Sequence, residues 1–239
     1  MQRIFQSEVN TIWKGDALEV AAAEQPGAFS LAILDGPYGL KKSGWDMMRV
    51  DQLAEWYKPF LDGVDRLCAP DASLYVWNTG EGWGSLNEAI LAQGWNFASL
   101  IVWDKVNSPG FISRRFNRQW VHVHEVCGMY TRGRPPFTIP PSCTGSNVWR
   151  LAAREFVTER FRTGGTVQRV ANRPPEPEQL HPCQKPLAFA DRIIRASSLP
   201  GQRVWVPFGG TCREAVAAEW MARAEPGEAR QVVTAELDQ

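Results

Sequence analysis

The segment that most restricts the fold is Ser30-Leu-Ala-Ile-Leu34, a short apolar run that halts at Asp35-Gly36-Pro37. Such a run, too short for a buried helix and closed by a turn signal, reads as an interior strand stopping at a polar edge. Similar runs recur at Ser73–Trp77, Phe97–Trp103, Val121–Tyr130, Arg203–Val206 and Gln231–Ala235. Between them lie helical patterns. Leu53, Trp56, Tyr57, Phe60, Leu61, Val64 and Leu67 keep helical spacing behind Asp51, a potential N-cap. Ser85-Leu-Asn-Glu88 has the form of a capping box and predicts a helix that ends near Gly94. Pro186–Ser198 and Thr211–Arg223 read as two more helices, the first with proline at its start and Pro200-Gly201 beyond its end. Strands alternating with helices predict an α/β fold around a mostly parallel sheet, whose ligands bind at the carboxyl ends of the strands.

The chain has 239 residues, 44% of them hydrophobic, enough for one sizeable domain with a smaller insertion. No apolar run approaches the length needed to cross a bilayer, so no membrane partner is expected. Met1–Asn10 is polar and mixed, unlike a secretory signal. Five scattered cysteines suggest no disulfide framework, and an intracellular, cytoplasmic setting is expected. His122 and His124 alternate along a strand and share one face, with Cys127 near, but a fourth ligand is lacking and no metal site is expected. The eleven tryptophans read as core and groove packing.

Net charge is zero overall but is unevenly distributed. Residues 110–173 hold eleven arginines and no lysine against Glu125, Glu155 and Glu159, a net charge of +8 that the rest of the chain offsets. The proline- and glycine-rich stretch 131–180 also breaks the strand–helix rhythm, and irregular segments of that length are usually functional or disordered. A basic, arginine-only surface fits phosphates and guanine edges. Arg114, Arg115, Arg118, Arg150, Arg154, Arg160 and Arg162 are the candidate DNA contacts.

Four polar segments stand at strand ends or helix starts: Gly15-Asp16-Ala17-Leu18, Asp35-Gly36-Pro37-Tyr38-Gly39, His181-Pro-Cys-Gln-Lys-Pro186, and Pro207-Phe208-Gly209-Gly210 with Glu236 closing the next strand. In this order they resemble the amino-methyltransferases of DNA, in the permuted β group, over roughly residues 10–239. The resemblance implies a circularly permuted, Rossmann-like S-adenosylmethionine-dependent methyltransferase fold. It implies a catalytic part at 1–130, a target-recognition segment at 131–180 and a cofactor-binding part at 181–239. It further implies double-stranded DNA as partner and a bacterial or phage-infected cell as the setting, and is compatible with a homodimer, which nothing in the sequence requires.

By this resemblance Asp35 and the Gly36 carbonyl accept hydrogen bonds from an exocyclic amino group, Pro37 stiffens the turn, and Tyr38 offers a face to a flipped base. Asp16, Ala17, Asp35, Lys185, Pro186, Pro207, Phe208, Gly209, Gly210 and Glu236 would line the cofactor site, with Glu236 on the ribose hydroxyls. The expected activity is methyl transfer to N6 of adenine, since Asp at the first motif position is more typical of adenine enzymes. The alternatives are N4 of cytosine and a non-catalytic DNA-binding relative. Three departures from the family pattern stand out. Gly36 replaces a proline, which predicts a looser turn. Val206 replaces an acid, and Cys212-Arg213 replace Gly-Thr, with Arg213 unfavourably placed against the dipole of a helix start.

Overall fold

The computed structural model describes residues 1–41, 44, 46–105, 123–141, 143–151, 157–160, 168–171, 184–225 and 227–237. In chain order the elements are β1 (Gln2–Gln6), β2 (Asn10–Lys14), α1 (Ala17–Ala23), β3 (Phe29–Leu34), α2 (Leu53–Leu67), β4 (Cys68–Asn78) and α3 (Gly80–Ala92). Then follow β5 (Asn96–Asp104), β6 (His124–Arg132), β7 (Val148–Arg150), β8 (Val157–Arg160), β9 (Gln168–Ala171), α4 (Leu187–Ser197), β10 (Arg203–Val206), α5 (Arg213–Ala224) and β11 (Gln231–Glu236). Nine strands form one sheet in the order β1-β2-β11-β10-β3-β4-β6-β5-β7, and β8 and β9 pair separately.

The centre of this sheet is parallel, as β2, β11, β10, β3 and β4 run together. The sheet is more mixed than the sequence pattern suggests, because β1 pairs antiparallel with β2, and β6 runs antiparallel between β4 and β5. The side-chain period of two distributes each central strand between two cores. Phe29, Ala32 and Leu34 of β3 face α1, α2 and α3, whereas Leu31 and Ile33 face α4 and α5. In β4, Leu74 and Val76 belong to the first core, Tyr75 and Trp77 to the second. Burial on both faces explains why β3 is a continuous apolar run rather than an alternating one.

The tryptophans divide between these cores. Trp205 and Trp95 sit in the first, while Trp77 stacks on Phe189 in the second, at a centroid distance of 5.4 Å. Trp103 meets Phe189 edge-on at 5.2 Å. Among the described residues no helix is long and apolar enough to cross a membrane.

Helix α3 begins earlier than the Ser85 capping box implies. Thr79 is the cap, its hydroxyl accepting from Gly82 N at 3.1 Å. Gly80, Gly82 and Gly84 weaken helix propensity there and hide the start from a pattern reading. Gly82 cannot be replaced at no cost, since a Cβ would lie 1.8 Å from the Asn78 amide oxygen. Ser85, inside the helix, instead donates to the Val50 carbonyl at 3.1 Å.

The topology also places the site. The C-terminal strands β10 and β11 enter between β2 and β3, so segments far apart in sequence become neighbours. β3 leads to α2 on one face, whereas β10 leads to α5 on the other. The two adjacent parallel strands therefore diverge at their carboxyl ends, which opens a crevice at the switch point. Leu31 is wholly buried in β3. Leu31→Ala is expected to lower the unfolding free energy by about 2–5 kcal/mol in a urea titration, from lost burial and the residual cavity.

Candidate active site at the carboxyl edge of the sheet

Asp35 stands at the end of β3 and opens the turn that runs through Tyr38. Two side chains from neighbouring elements hold this turn by the Pro37 carbonyl: the Tyr57 hydroxyl donates at 3.2 Å and the Asn78 amide at 3.5 Å. The exit of the turn is clamped by Asp46, a buried carboxylate that accepts from Gly39 N at 2.6 Å and Leu40 N at 3.0 Å. Gly39 needs its glycine, with φ at +74°.

Gly36 does not loosen the turn as the missing proline suggested. A Cβ there would lie 2.7 Å from the Tyr57 hydroxyl and 2.8 Å from the Phe208 ring. The turn is tight because its neighbours press on the bare backbone, so external packing replaces the stiffness of a proline ring.

Around Asp35 lies a network of charges drawn from four segments. The Lys185 ammonium is 2.8 Å from each Asp35 oxygen, 2.8 Å from the Tyr38 hydroxyl and 3.1 Å from Glu125 Oε2. Glu125 also pairs with Lys105. Tyr38 Oη lies 2.8 Å from Asp35 Oδ1 and 3.1 Å from Glu125 Oε2, so two carboxylates share its single proton. Burial alone would push the Glu125 carboxyl up, but Lys185 and Lys105 outweigh it and bring the pKa down to about 2. For Lys185 burial works against the charge, and Asp35 and Glu125 reverse that and raise its pKa. Burial raises the hydroxyls of Tyr38 and Tyr57, and Asp35 adds to both shifts. The lysine is therefore held as a cation with its three protons directed at Asp35, Glu125 and Tyr38.

Two adjoining cavities meet at Asp35. The smaller, about 80 Å³, is bounded by Asp35, Tyr38, Asp46, Glu125, Lys185 and the loop Phe208–Thr211, with Arg213 and Glu214 behind. The larger, about 310 Å³, is bounded by Asp16, Ala17, Asp35, Pro207, Phe208, Gly210 and Glu236, together with Trp56 and Phe60 of α2. Its aromatic wall is continuous. Phe208 stacks on Trp56 at 5.8 Å and meets Phe60 at 4.8 Å. The Asp16 carboxylate caps α1 by accepting from Leu18 N at 2.8 Å. Glu236 accepts from Gly210 N and so ties the end of β11 to the loop after β10.

That loop leaves little choice of residue. A Cβ on Gly209 would lie 2.5 Å from the Thr234 hydroxyl, and Gly209 N donates to the Ala235 carbonyl at 2.8 Å. Cys212, where the family pattern has glycine, keeps the left-handed conformation with φ at +53°. Burial pushes its thiol up to about 11, so it stays protonated. The Arg213 guanidinium lies against the side-chain amide of Gln184. Glu214 beside it is partly buried, and desolvation lifts its carboxyl to about 7. Val206 packs in the apolar core on the α4–α5 face and borders neither cavity.

The residues singled out from sequence thus fall unevenly. Asp16, Ala17, Asp35, Gly36, Pro37, Pro207, Phe208, Gly210 and Glu236 share the larger cavity. Tyr38, Lys185 and Gly209 border the smaller one, which Asp35, Gly36, Phe208 and Gly210 also reach. Pro186 is the N-cap of α4. Of the arginines, Arg150 is exposed on β7 beside Asp104, at 3.2 Å, and Arg160 belongs to β8. Arg114, Arg115, Arg118, Arg154 and Arg162 lie outside the described residues. Arg132, counted in the basic segment, is structural: it pairs with Asp65, donates to the carbonyls of Cys68 and Ala69, and covers the Trp95 ring at 4.7 Å.

Sequence reasoning missed Glu125, Lys105, Asp46, Trp56 and Phe60. The two aromatics had been read as the apolar face of α2. Glu125 left a readable trace, as a charge within a strand otherwise bound for the core.

The DNA methylase family model covering N6 and N4 enzymes matches residues 29–227. The chain belongs to this family. It is 23% identical to the type II methyltransferase M1.MboII of Moraxella bovis, over 90% of both chains. It is also 23% identical to the DNA adenine methyltransferase YhdJ of Escherichia coli K12, over 87% of this chain and 74% of that one. Among solved structures, the cytosine-N4-specific PvuII DNA methyltransferase superposes with a TM-score of 0.73 at 16% identity, over 99% of this chain and 85% of that one. The complex of M1.HpyAVI with SAM superposes with a TM-score of 0.63 at 17% identity, over 96% and 93% of the two chains. The fold is that of the DNA methyltransferases.

Two outcomes test the geometry of this methylase site. Gly36→Ala drives a methyl group into Tyr57 and Phe208 and is expected to cost about 1–3 kcal/mol of stability in urea unfolding. Glu125, with its pKa depressed to about 2, contributes stability above its unfolded pKa of roughly 4.3, and that contribution is lost as pH falls toward the folded value. The urea midpoint of Glu125→Gln should therefore vary less than that of the wild type between about pH 4.3 and about pH 2.

Proposed function

We propose that this methylase transfers a methyl group from S-adenosylmethionine to the N6 amino group of adenine in double-stranded DNA. The observation that carries the reading is the carboxylate of Asp35 on the shared wall of the two cavities, one sized for a nucleoside and the other lined by acceptors. The larger cavity fits the cofactor. Phe208, Trp56 and Phe60 offer an apolar wall to its adenosine part. Asp16 would accept from its adenine amino group, and Glu236 from its ribose hydroxyls, as acids do in dinucleotide folds. Close approach to the Phe208–Gly210 backbone is allowed by two glycines. Ala17 and Pro207 complete that wall, and Val206 plays no part in it.

The cofactor supplies an electrophilic methyl group. The chain must then make a poor nucleophile competent, because the lone pair of an exocyclic amine is delocalised into its ring. Asp35 and the Gly36 carbonyl accept the two amino protons, which favours pyramidal nitrogen with its lone pair turned toward the methyl donor. The N–CH₃ bond would form as the S–CH₃ bond breaks with its electron pair left on sulfur. The cationic nitrogen would then lose one proton, along its hydrogen bond to Asp35 and on to solvent. Asp35 lowers the energy of that cation by proximity, with its position set in advance by Tyr57, Asn78 and Asp46. Tyr38 presents a ring to the extruded base.

Several further parts of the reading rest on sequence. The division into 1–130, 131–180 and 181–239 assigns target recognition to the arginine-rich middle segment, with Arg150 and Arg160 among its contacts. The adenine preference rests on Asp35 at the first motif position, and the adenine specificity of YhdJ supports it. The likeness to the cytosine-N4-specific PvuII enzyme is one of fold.

Unmodified bacterial DNA incubated with the protein and S-adenosylmethionine, then digested to nucleosides and weighed, is expected to yield N6-methyladenine. N4-methylcytosine alone would overturn the choice of base. No methylated base, together with no heat of cofactor binding by calorimetry, would leave a DNA-binding relative. Asp35→Ala should lower transfer at least ~100-fold by the magnitude of a lost preorganised electrostatic contact, with the cofactor dissociation constant changed only a few-fold.

A further inference from the structure

We propose that the Lys185 ammonium is a place-holder for the target amino group, and that Glu125, paired with Lys105, is the acceptor that keeps this ammonium when the base takes Asp35. The inference rests on the reading of Asp35 as the acceptor for the target amine.

The argument starts from hydrogen-bond supply. An ammonium has three protons and an exocyclic amine has two, and both need carboxylate or hydroxyl acceptors. In this structure Lys185 takes both Asp35 oxygens and the Tyr38 hydroxyl, each at 2.8 Å. These are the groups that the incoming amine and base would use. The ammonium also lies 5.2 Å from the Tyr38 ring centroid, on the ring proposed to stack the base. Lys185 therefore satisfies the acceptor site in the absence of DNA, when a bare, half-buried carboxylate would be costly.

The same arrangement would obstruct the reaction if it persisted. Methyl transfer from a sulfonium leaves positive charge on the target nitrogen. A second cation at hydrogen-bonding distance of Asp35 opposes that charge and consumes the acceptor. Glu125 answers both problems. Its Oε2 is already 3.1 Å from the lysine nitrogen, so the ammonium need not cross the site to find another anion. Its side chain is only 14% exposed, so the attraction is weakly screened.

Lys105 makes this exchange workable. Glu125 lies in a buried strand, where desolvation favours the neutral acid, and a neutral acid would not hold an ammonium. The Lys105 ammonium pairs with Glu125 at Oε1, the other oxygen from the one Lys185 meets, and lies 4.5 Å from the Trp103 ring centroid. Asp35, Glu125, Lys105 and Lys185 then sum to zero charge, and moving Lys185 between the two carboxylates keeps that balance. Glu125 and Lys105 are positioning residues, since they act through Lys185.

A double-mutant cycle tests this directly. Methyl incorporation into unmodified bacterial DNA is measured for the wild type, Glu125→Gln, Lys185→Met and the double variant, with kcat and the KM for DNA determined separately. In the wild-type background Glu125→Gln leaves Lys185 wholly on Asp35, and kcat should fall ~10-fold or more with KM for DNA rising, while the cofactor dissociation constant stays within a few-fold. In the Lys185→Met background the same change should alter kcat less than about threefold, because Glu125 then has nothing to hold. Glu125→Asp, which keeps the charge, should recover part of the loss. Lys105→Met, which leaves both catalytic-turn contacts in place, should fall on the same side as Glu125→Gln and guards against a folding defect in that variant. Equal losses from Glu125→Gln with and without Lys185 would mean a structural role and would overturn the inference while leaving the methyltransferase reading intact. A wild type that incorporates no methyl group would overturn both.

Discussion

The site depends on a pairing of charges that no single segment contains. Asp35 ends β3, Lys105 follows β5, Glu125 belongs to β6 and Lys185 precedes α4. Each of these charges buried alone would be costly, and together they neutralise one another, with the Lys185 protons directed at acceptors. Such a network is poor evidence for stability, because desolvation consumes much of the attraction. Its consequence lies in register. The β5–β6 pair must dock on β4 so that Glu125 meets Lys185, and the segment ahead of α4 must arrive at β3 so that Lys185 meets Asp35.

The rest of the crevice follows from where the sheet changes direction. β3 and β10 are neighbours whose following helices lie on opposite faces, so their carboxyl ends part and leave room for ligands. Into that opening come a crowded glycine turn, an aromatic wall from α2 and a loop tied to Glu236. Rigidity comes from neighbours rather than from local stiffness. Gly36 is held by Tyr57 and Phe208, Gly39 by Asp46, and Gly209 by Thr234 and Ala235. A departure from the family pattern at one residue is thus absorbed by residues elsewhere in the chain.

Much of the α/β architecture was legible because hydrophobic period reports burial. β3, β10 and β11 were expected within a residue of their observed ends, α2 was recognised from its apolar spacing, and α4 from the proline at its start and Pro200-Gly201 beyond its end. Elements without that signal were not. β1 is exposed along its length and carries no alternation that marks a strand. The start of α3 is masked by glycines, and the antiparallel placement of β6 depends on pairing across the sheet, which a local pattern does not encode.

The amino-acid sequence by itself determined the family, through four short motifs in order, and the residues that collect around Asp35 and Glu236. It also determined the arginine-rich middle segment, since charge composition needs no coordinates. Only the tertiary structure decided what those residues do to one another. It set Lys185 on the carboxylate of the catalytic turn, joined Glu125 and Lys105 to it, removed Arg132 from the basic surface, and showed Val206 to be core. The physical reason is that strand and helix periods act over a few residues. A buried charge has meaning only through its partners, which here come from segments up to 150 residues away.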